Sequence, residues 1–177
     1  IERFFKPFFS GVFFEPELDQ SSRAFEFVFR AFALGDTALP ARGMGEIPAQ
    51  LAARLPRDCI RLSSGAERIE GSGVVLRSGE RIKARALVIA TAGQETARLL
   101  RRPDAACNPG RGTTCLYFGA RQAPVQGPYL VLNGEGLGPI NSLLFPSNLS
   151  AYYAPPGHSL ITVNVHGVDH NPDALET

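Results

Sequence analysis

The period of the apolar positions changes along the chain, from helical spacing in the first third to strand spacing beyond Asp58. Residues 1–14 hold six phenylalanines, at positions 4, 5, 8, 9, 13 and 14. Pro7 and Gly11 interrupt them, which predicts two short apolar turns packed against a covering surface rather than one helix. Ser21-Ser22 then offers an N-cap, and Phe25, Val28, Phe29 and Phe32 follow at helical spacing up to Gly35, predicting an amphipathic helix. After a turn at Pro40–Gly45, Pro48 is placed to open a second helix to Leu55, with Leu51 and Leu55 facing inward.

Beyond Asp58 the pattern predicts a three-stranded meander. Ile60-Arg61-Leu62 starts the first strand and Ala66–Glu70 continues it. Gly71-Ser72-Gly73 turns the chain, Val74-Val75-Leu76 returns, Ser78-Gly79 turns again, and Arg81–Ala84 leads on. Ala86-Leu87-Val88-Ile89-Ala90 is an unbroken apolar run of the kind found in strands buried on both faces. Thr91-Ala92-Gly93 follows directly, and Glu95–Leu100 reads as a helix leaving the strand's carboxyl end. A Pro- and Gly-containing linker at 103–112 comes next. Thr114–Ala120, Tyr129–Asn133, Ser142–Phe145, Ser150–Tyr153 and Ser159–Val165 are then short strands of an antiparallel sheet. The expected class is α+β (mixed α/β), divided into a helical Phe-rich part (1–57), a meander with a buried strand (58–93) and an antiparallel sheet (94–177).

Composition narrows the partners. Hydrophobic residues are 44% and charged residues 20%, and a net charge of +1 gives no electrostatic reason to expect nucleic acid or an anionic membrane. Cys59, Cys107 and Cys115 are odd in number and form no C-x-x-C pair, so neither a disulfide framework nor a zinc knuckle is indicated, and a reducing, cytoplasmic setting fits. No apolar stretch approaches the roughly 20 residues of a membrane span. Ile1-Glu2-Arg3 has neither an initiator methionine nor a signal-peptide layout, and Asn171–Thr177 reads as the opening turns of a helix, so a piece of a longer protein is expected.

Residues 60–93, a strand, a meander with a Ser-Gly-Glu turn, a buried apolar strand and then Ala-Thr-x-Gly, resemble part of the FAD-dependent amine oxidases, phytoene desaturases and protoporphyrinogen oxidases. The resembling part is where the chain returns to the cofactor domain after a substrate-domain excursion. Gly43-Met44-Gly45-Glu46-Ile47-Pro48 and the Ala-Gln-Leu-Ala-Ala-Arg-Leu after it are similar to that group's glycine-rich turn and helix, in the same order and at similar spacing. Together these cover roughly residues 37–100. Phe-Pro-Ser-Asn-Leu-Ser and Tyr-Tyr-Ala-Pro-Pro-Gly-His look like the substrate domain of bacterial phytoene-desaturase-related oxidoreductases, with lower specificity.

The resemblance implies a fragment of a two-domain flavoprotein that passes electrons from an apolar or amine substrate to flavin. It places Ala90, Thr91, Ala92 and Gly93 near the pyrophosphate and ribityl part of FAD, and Ala66 with its backbone toward the adenine. Ligands of open α/β sheets do bind at the carboxyl ends of strands, where small residues admit the backbone and a helix offers free amides. Thr-Ala-Gly as a plain strand-to-helix turn is the competing reading. No Gly-x-Gly-x-x-Gly occurs in the sequence. Gly134-Glu135-Gly136-Leu137-Gly138 runs into Pro139, which predicts a hairpin or loop rather than a phosphate cradle. The missing cofactor-domain portions are therefore expected partners, and the chain alone is expected to bind FAD weakly and to be inactive.

Other constellations carry less. His166 and His170 flank Asp169, but Gly167 and Asn171-Pro172 point to a strand end and a loop, so no metal is assigned. No Gly-x-Ser-x-Gly elbow exists, and Ser147 has no hydrolase context. Cys59 and Cys115 fall in expected strands, as small hydrophobes. Arg98, Arg101 and Arg102 coat the exposed face and C-terminal end of a helix, or contact a phosphate. No residue is assigned as catalytic. The phenylalanines form packing, or else the wall of an apolar substrate cavity or an entry path at a membrane surface. If left uncovered they offer a dimerisation surface. An apolar-ligand binding module and an NAD-linked flavin reductase are the rival functions.

Overall fold

The computed structural model describes residues 1–102 and 111–168. Most of the expected linker, Cys107, the Asp169–His170 pair and the expected helix start at Asn171 lie outside them. The chain forms two compact units, Ile1–Leu51 with Arg111–Thr177, and Ala52–Gly110. Mixed helix and antiparallel sheet is the observed class, with four helices and seven strands among the described residues.

In the first unit, residues Phe5–Phe13 form one continuous helix, α1, where two broken turns were expected. Pro7 is its third residue, in the first turn, where its missing N–H has no intrahelical partner to lose. Gly11 is tolerated because the site needs it bare: a Cβ there would lie 2.5 Å from Asn141 Oδ1. The second helix, α2 (Ser22–Leu34), follows its sequence signals. Ser21 Oγ accepts from the Arg23 N–H at 3.3 Å, and Gly35 ends it. The aromatic rings of the two helices meet edge and face, Phe9 with Phe25 at 4.8 Å and Phe8 with Phe32 at 5.1 Å between centroids. Helix α3 spans Glu46–Ala52, with Pro48 at its third position rather than its first. Leu51 and Leu55 are exposed, not inward-facing.

The second unit is built on the meander: β1 (Ala66–Glu70), β2 (Gly73–Leu76) and β3 (Arg81–Lys83) pair in that order, antiparallel throughout. Ile60–Leu62 is not a strand. Asp58 and Ser63 adopt left-handed φ of 68° and 53°, which turns the chain out of an extended path on either side. Cys59 accordingly sits exposed in a turn rather than in a strand. Residues 86–90 are not a strand either. No strand among the described residues pairs with them, and Val88 is 87% exposed. Their apolar pattern suits a buried sheet position, but a strand exists only where another backbone takes up its N–H and C=O groups. Helix α4 (Gly93–Leu99) then packs on β1 and buries Ala97 and Leu99, and Val75 and Leu76 of β2 are buried in the same unit.

Four strands complete the first unit: β4 (Thr113–Ala120), β5 (Leu130–Leu132), β6 (Ile140–Leu144) and β7 (Ser159–His166). Their order is β4-β7-β6-β5, so the last strand in sequence is central. It pairs with β4 over eight residues, from Ser159 opposite Ala120 to His166 opposite Thr113. Ser150–Tyr153, expected as a strand, is instead a 3-10 turn at Ala151–Tyr153, capped by Ser150 Oγ accepting from the Tyr152 N–H. Its neighbours reach the loop before α3: Tyr153 OH donates to Pro40 O at 2.8 Å, Ser150 Oγ to Ala41 O at 2.9 Å, and the Arg42 guanidinium lies 4.9 Å above the Tyr152 ring.

Candidate functional site

The edge of the second unit contains the residues singled out for a cofactor. Ala66 begins β1 and Gly93 begins α4, while Ala90, Thr91 and Ala92 form the exposed approach to that helix. The β1–β2 register slips between Ala66 and Arg68, leaving Glu67 as the extra residue of a β-bulge. Arg98 fills the irregularity from α4, its Nη1 donating to Glu67 O at 2.7 Å and its Nη2 to Ala66 O at 2.9 Å. The same guanidinium grips Glu95, with Nε donating to Oε2 at 2.7 Å. That hydrogen bond and the positive charge hold the Glu95 carboxyl below its usual range. Arg98 is therefore a structural clip between α4 and β1, not a loose surface charge. Thr91 and Thr96 hydroxyls lie 2.8 Å apart and fix the entry to α4.

Two further ion pairs brace the meander. Arg61 meets Glu80 through both nitrogens, at 2.8 and 2.6 Å, and Arg68 meets Glu70 at 2.8 Å. Both carboxyls are lowered, chiefly by those hydrogen bonds.

The first unit holds a cavity of about 550 Å3 bounded by α1, α2 and one face of the sheet. Phe8, Val12, Phe14 and Phe32 form its apolar wall, with Leu130 and Leu132, while Thr113, Asn141, Ser142, Asn164 and His166 supply polar groups. Alternation along β7 explains the mixture. Val163 and Val165 are buried on one face, and Thr162, Asn164 and His166 point to the other. Asn141 is the extra residue of a second β-bulge, because Ile140 faces Val165 while Ser142 faces Asn164.

The bulge turns the Asn141 side chain into α1, where Nδ2 donates to Pro7 O at 2.9 Å and to Ser10 Oγ at 3.0 Å. Ser10 Oγ in turn lies 3.2 Å from His166 Nε2. Burial lowers the His166 pKa and Glu15 pulls the other way, so the ring is held toward its neutral form. A smaller cleft of about 350 Å3, lined by Phe5, Phe9, Phe13 and Phe25, opens on the α1–α2 pair.

The sequence profile of the flavin-containing amine oxidoreductases matches residues 1–176. The chain belongs to that family. No curated protein matches it significantly. This is a family of flavin-dependent oxidoreductases, and FAD is its cofactor.

Whether these residues fit such a cofactor is answered differently along the edge. Ala90, Thr91 and Ala92 have small, exposed side chains, Gly93 has none, and a Cβ built there would meet nothing within 4 Å, so a dinucleotide can approach the backbone closely. Ala66 has its carbonyl committed to Arg98. The Gly134–Gly138 segment is a hairpin loop, as expected. Asn133 Nδ2 donates to Leu137 O and Ile140 O, and its Oδ1 accepts from the Gly136 N–H. Ser147 Oγ accepts from the Leu160 N–H and is structural. Among the described residues no group of three His, Cys, Asp or Glu is arranged to hold a metal, and no helix is long and apolar enough to cross a membrane.

Sequence reasoning missed Arg98 as a clip, and missed the Asn141–Ser10–His166 network altogether. Neither leaves a local signal, because the partners lie 31 to 156 residues apart in the chain.

Proposed function

We propose that this chain is part of an FAD-dependent oxidoreductase that oxidises an apolar or amine substrate, of the phytoene desaturase-related and bacterial kind. The match over residues 1–176 carries the reading. Ala90–Gly93 would lie against the pyrophosphate and ribityl part of the cofactor, with Ala66 toward the adenine. The flavin, when bound, supplies the redox chemistry, and the protein's part is to bind, orient and exclude water. The Phe-walled space of the first unit supports an apolar small-molecule substrate, because a cavity of this size with few polar groups is typical of such sites.

The exposed run at residues 86–90 takes its place in a sheet when cofactor-domain portions of a longer chain are present. Without them the chain binds FAD weakly and does not turn over. Residence in the cytoplasm, with the phenylalanines available to a membrane surface or a second copy, belongs to the same proposal.

The test compares the 177-residue chain with the whole reading frame that contains it. The longer protein is expected to carry flavin absorbance that bleaches with substrate, and the chain alone to be colourless. Stoichiometric flavin on the chain alone refutes weak FAD binding by the piece. A colourless longer protein supports an apolar-ligand binding module, and bleaching by NADH alone supports a reductase.

A further inference from the structure

We propose that the outer edge of β4 pairs antiparallel with the same strand of a second copy of this chain, joining two four-stranded sheets into one. An unpaired sheet edge is a row of free N–H and C=O groups, and proteins guard such rows with short strands, charge, proline, bulges or a covering element. Three of the four edges here are guarded. β1 is broken by the bulge at Glu67 and covered there by Arg98, β3 has three residues of which Arg81 and Lys83 are charged, and β5 has only three residues. β4 has none of these devices. Its eight residues, Thr-Thr-Cys-Leu-Tyr-Phe-Gly-Ala, include no charge and no proline, and they run beside β7 without a register shift. Among the described residues no strand lies on its other side, and Tyr117 is 68% and Phe118 45% exposed.

The ladder fixes the direction of each backbone group. Gly167 N–H donates to Gly112 O, and bonded residues alternate along an antiparallel pair. Thr114, Leu116, Phe118 and Ala120 therefore bond β7, while Thr113, Cys115, Tyr117 and Gly119 turn both groups outward. No backbone group elsewhere among the described residues takes them up. A two-fold axis at Leu116 sets Thr113 opposite Gly119 of the second copy and Cys115 opposite Tyr117, so that every outward group meets a partner, in eight hydrogen bonds. With no charge on the strand, the pairing brings no like charges together. This self-match selects a second copy as the occupant. The surface uses none of the phenylalanines of α1 and α2, and it holds whether or not the chain binds flavin.

The test is sedimentation of the 177-residue chain, with amide hydrogen exchange on the same samples. A dimer is expected at about 100 μM, where micromolar association is saturated. In it the Thr113, Cys115, Tyr117 and Gly119 amides exchange at least about tenfold more slowly than after dilution to monomer. Tyr117→Pro deletes one outward donor and leaves the β7 ladder intact, because that N–H faces away from β7, and it is expected to give a folded monomer. Should it fail to fold, Tyr117→Lys places a charge at an exposed edge position and is expected to weaken the dimer about tenfold. A monomer at that concentration overturns the proposal, as does a dimer whose four outward amides exchange freely, which association through the phenylalanines would give. Amides equally slow at every dilution, a folded Tyr117→Pro dimer, or an undiminished Tyr117→Lys dimer also overturns it.

Discussion

Strand β7 and the run at residues 86–90 are both rich in Val, Ile and Leu, β7 alternating them with polar residues and 86–90 unbroken, yet the structure treats them oppositely. β7 has β4 on one side and β6 on the other, and its Val165 is fully buried. The 86–90 run pairs with no strand among the described residues, and Leu87 and Val88 are exposed. Apolar side chains do not make a strand by themselves, since each N–H and C=O must also find a partner, and those partners come from elsewhere in the chain.

The largest test of the difference exchanges charge into both. Val165→Asp is expected to cost more than about 4 kcal/mol and to unfold the first unit, because it buries a carboxylate without a partner. Val88→Asp is expected to change stability by less than about 0.5 kcal/mol, as exposed substitutions do. Chemical denaturation monitored by circular dichroism reads both. If the longer protein supplies the run with neighbours, Val88→Asp becomes severely destabilising there while remaining silent in this chain.

Burial also separates the phenylalanines. Phe9 is 2% exposed, and Phe9→Ala is expected to cost about 3 kcal/mol. Phe27, exposed on α2, is expected to cost under about 0.5 kcal/mol on the same change. Equal losses at the two positions would mean that the exposed face of α2 is covered in solution.

Acid should distinguish the two units. Burial lowers the His166 pKa, so the unfolded chain binds a proton more readily, and the first unit loses stability as pH falls below about 6.5. The second unit has Glu70, Glu80 and Glu95 lowered by arginines, so it keeps its stability through that range and begins to lose it only below the ordinary carboxylate value near 4.5, the loss continuing as pH falls through the lowered values of the folded state. Amide hydrogen exchange of β7 against β2 from pH 8 down into the acid range below 4 follows each, with His166→Gln expected to flatten the first.

The smallest expected effect is at Arg98. Arg98→Met should speed amide exchange in β1 and α4, through loss of the Ala66 and Glu67 carbonyl contacts, and leave β7 untouched. A change in β7 as well would show that the clip acts beyond its own unit.

Much of the element list was readable locally. The cap at Ser21, the stop at Gly35, the turns at Gly71 and Gly79 and the positions of strands β4 and β7 are signals spoken by neighbours in the chain. The candidate cofactor edge was readable through resemblance. The cavity was readable only as a density of phenylalanine, with no hint of its polar end.

What short-range chemistry can settle, propensity, caps and turn geometry, was settled before folding. Non-local pairing settled the rest. It made a continuous helix of Phe5–Phe13 by laying Gly11 against Asn141, and it set bulges at Glu67 and Asn141. It also drew Arg98 onto two carbonyls and withheld a sheet from residues 86–90. Each outcome hangs on hydrogen-bonding groups far apart in the chain, and a local pattern of apolar and polar residues does not encode where those groups will meet.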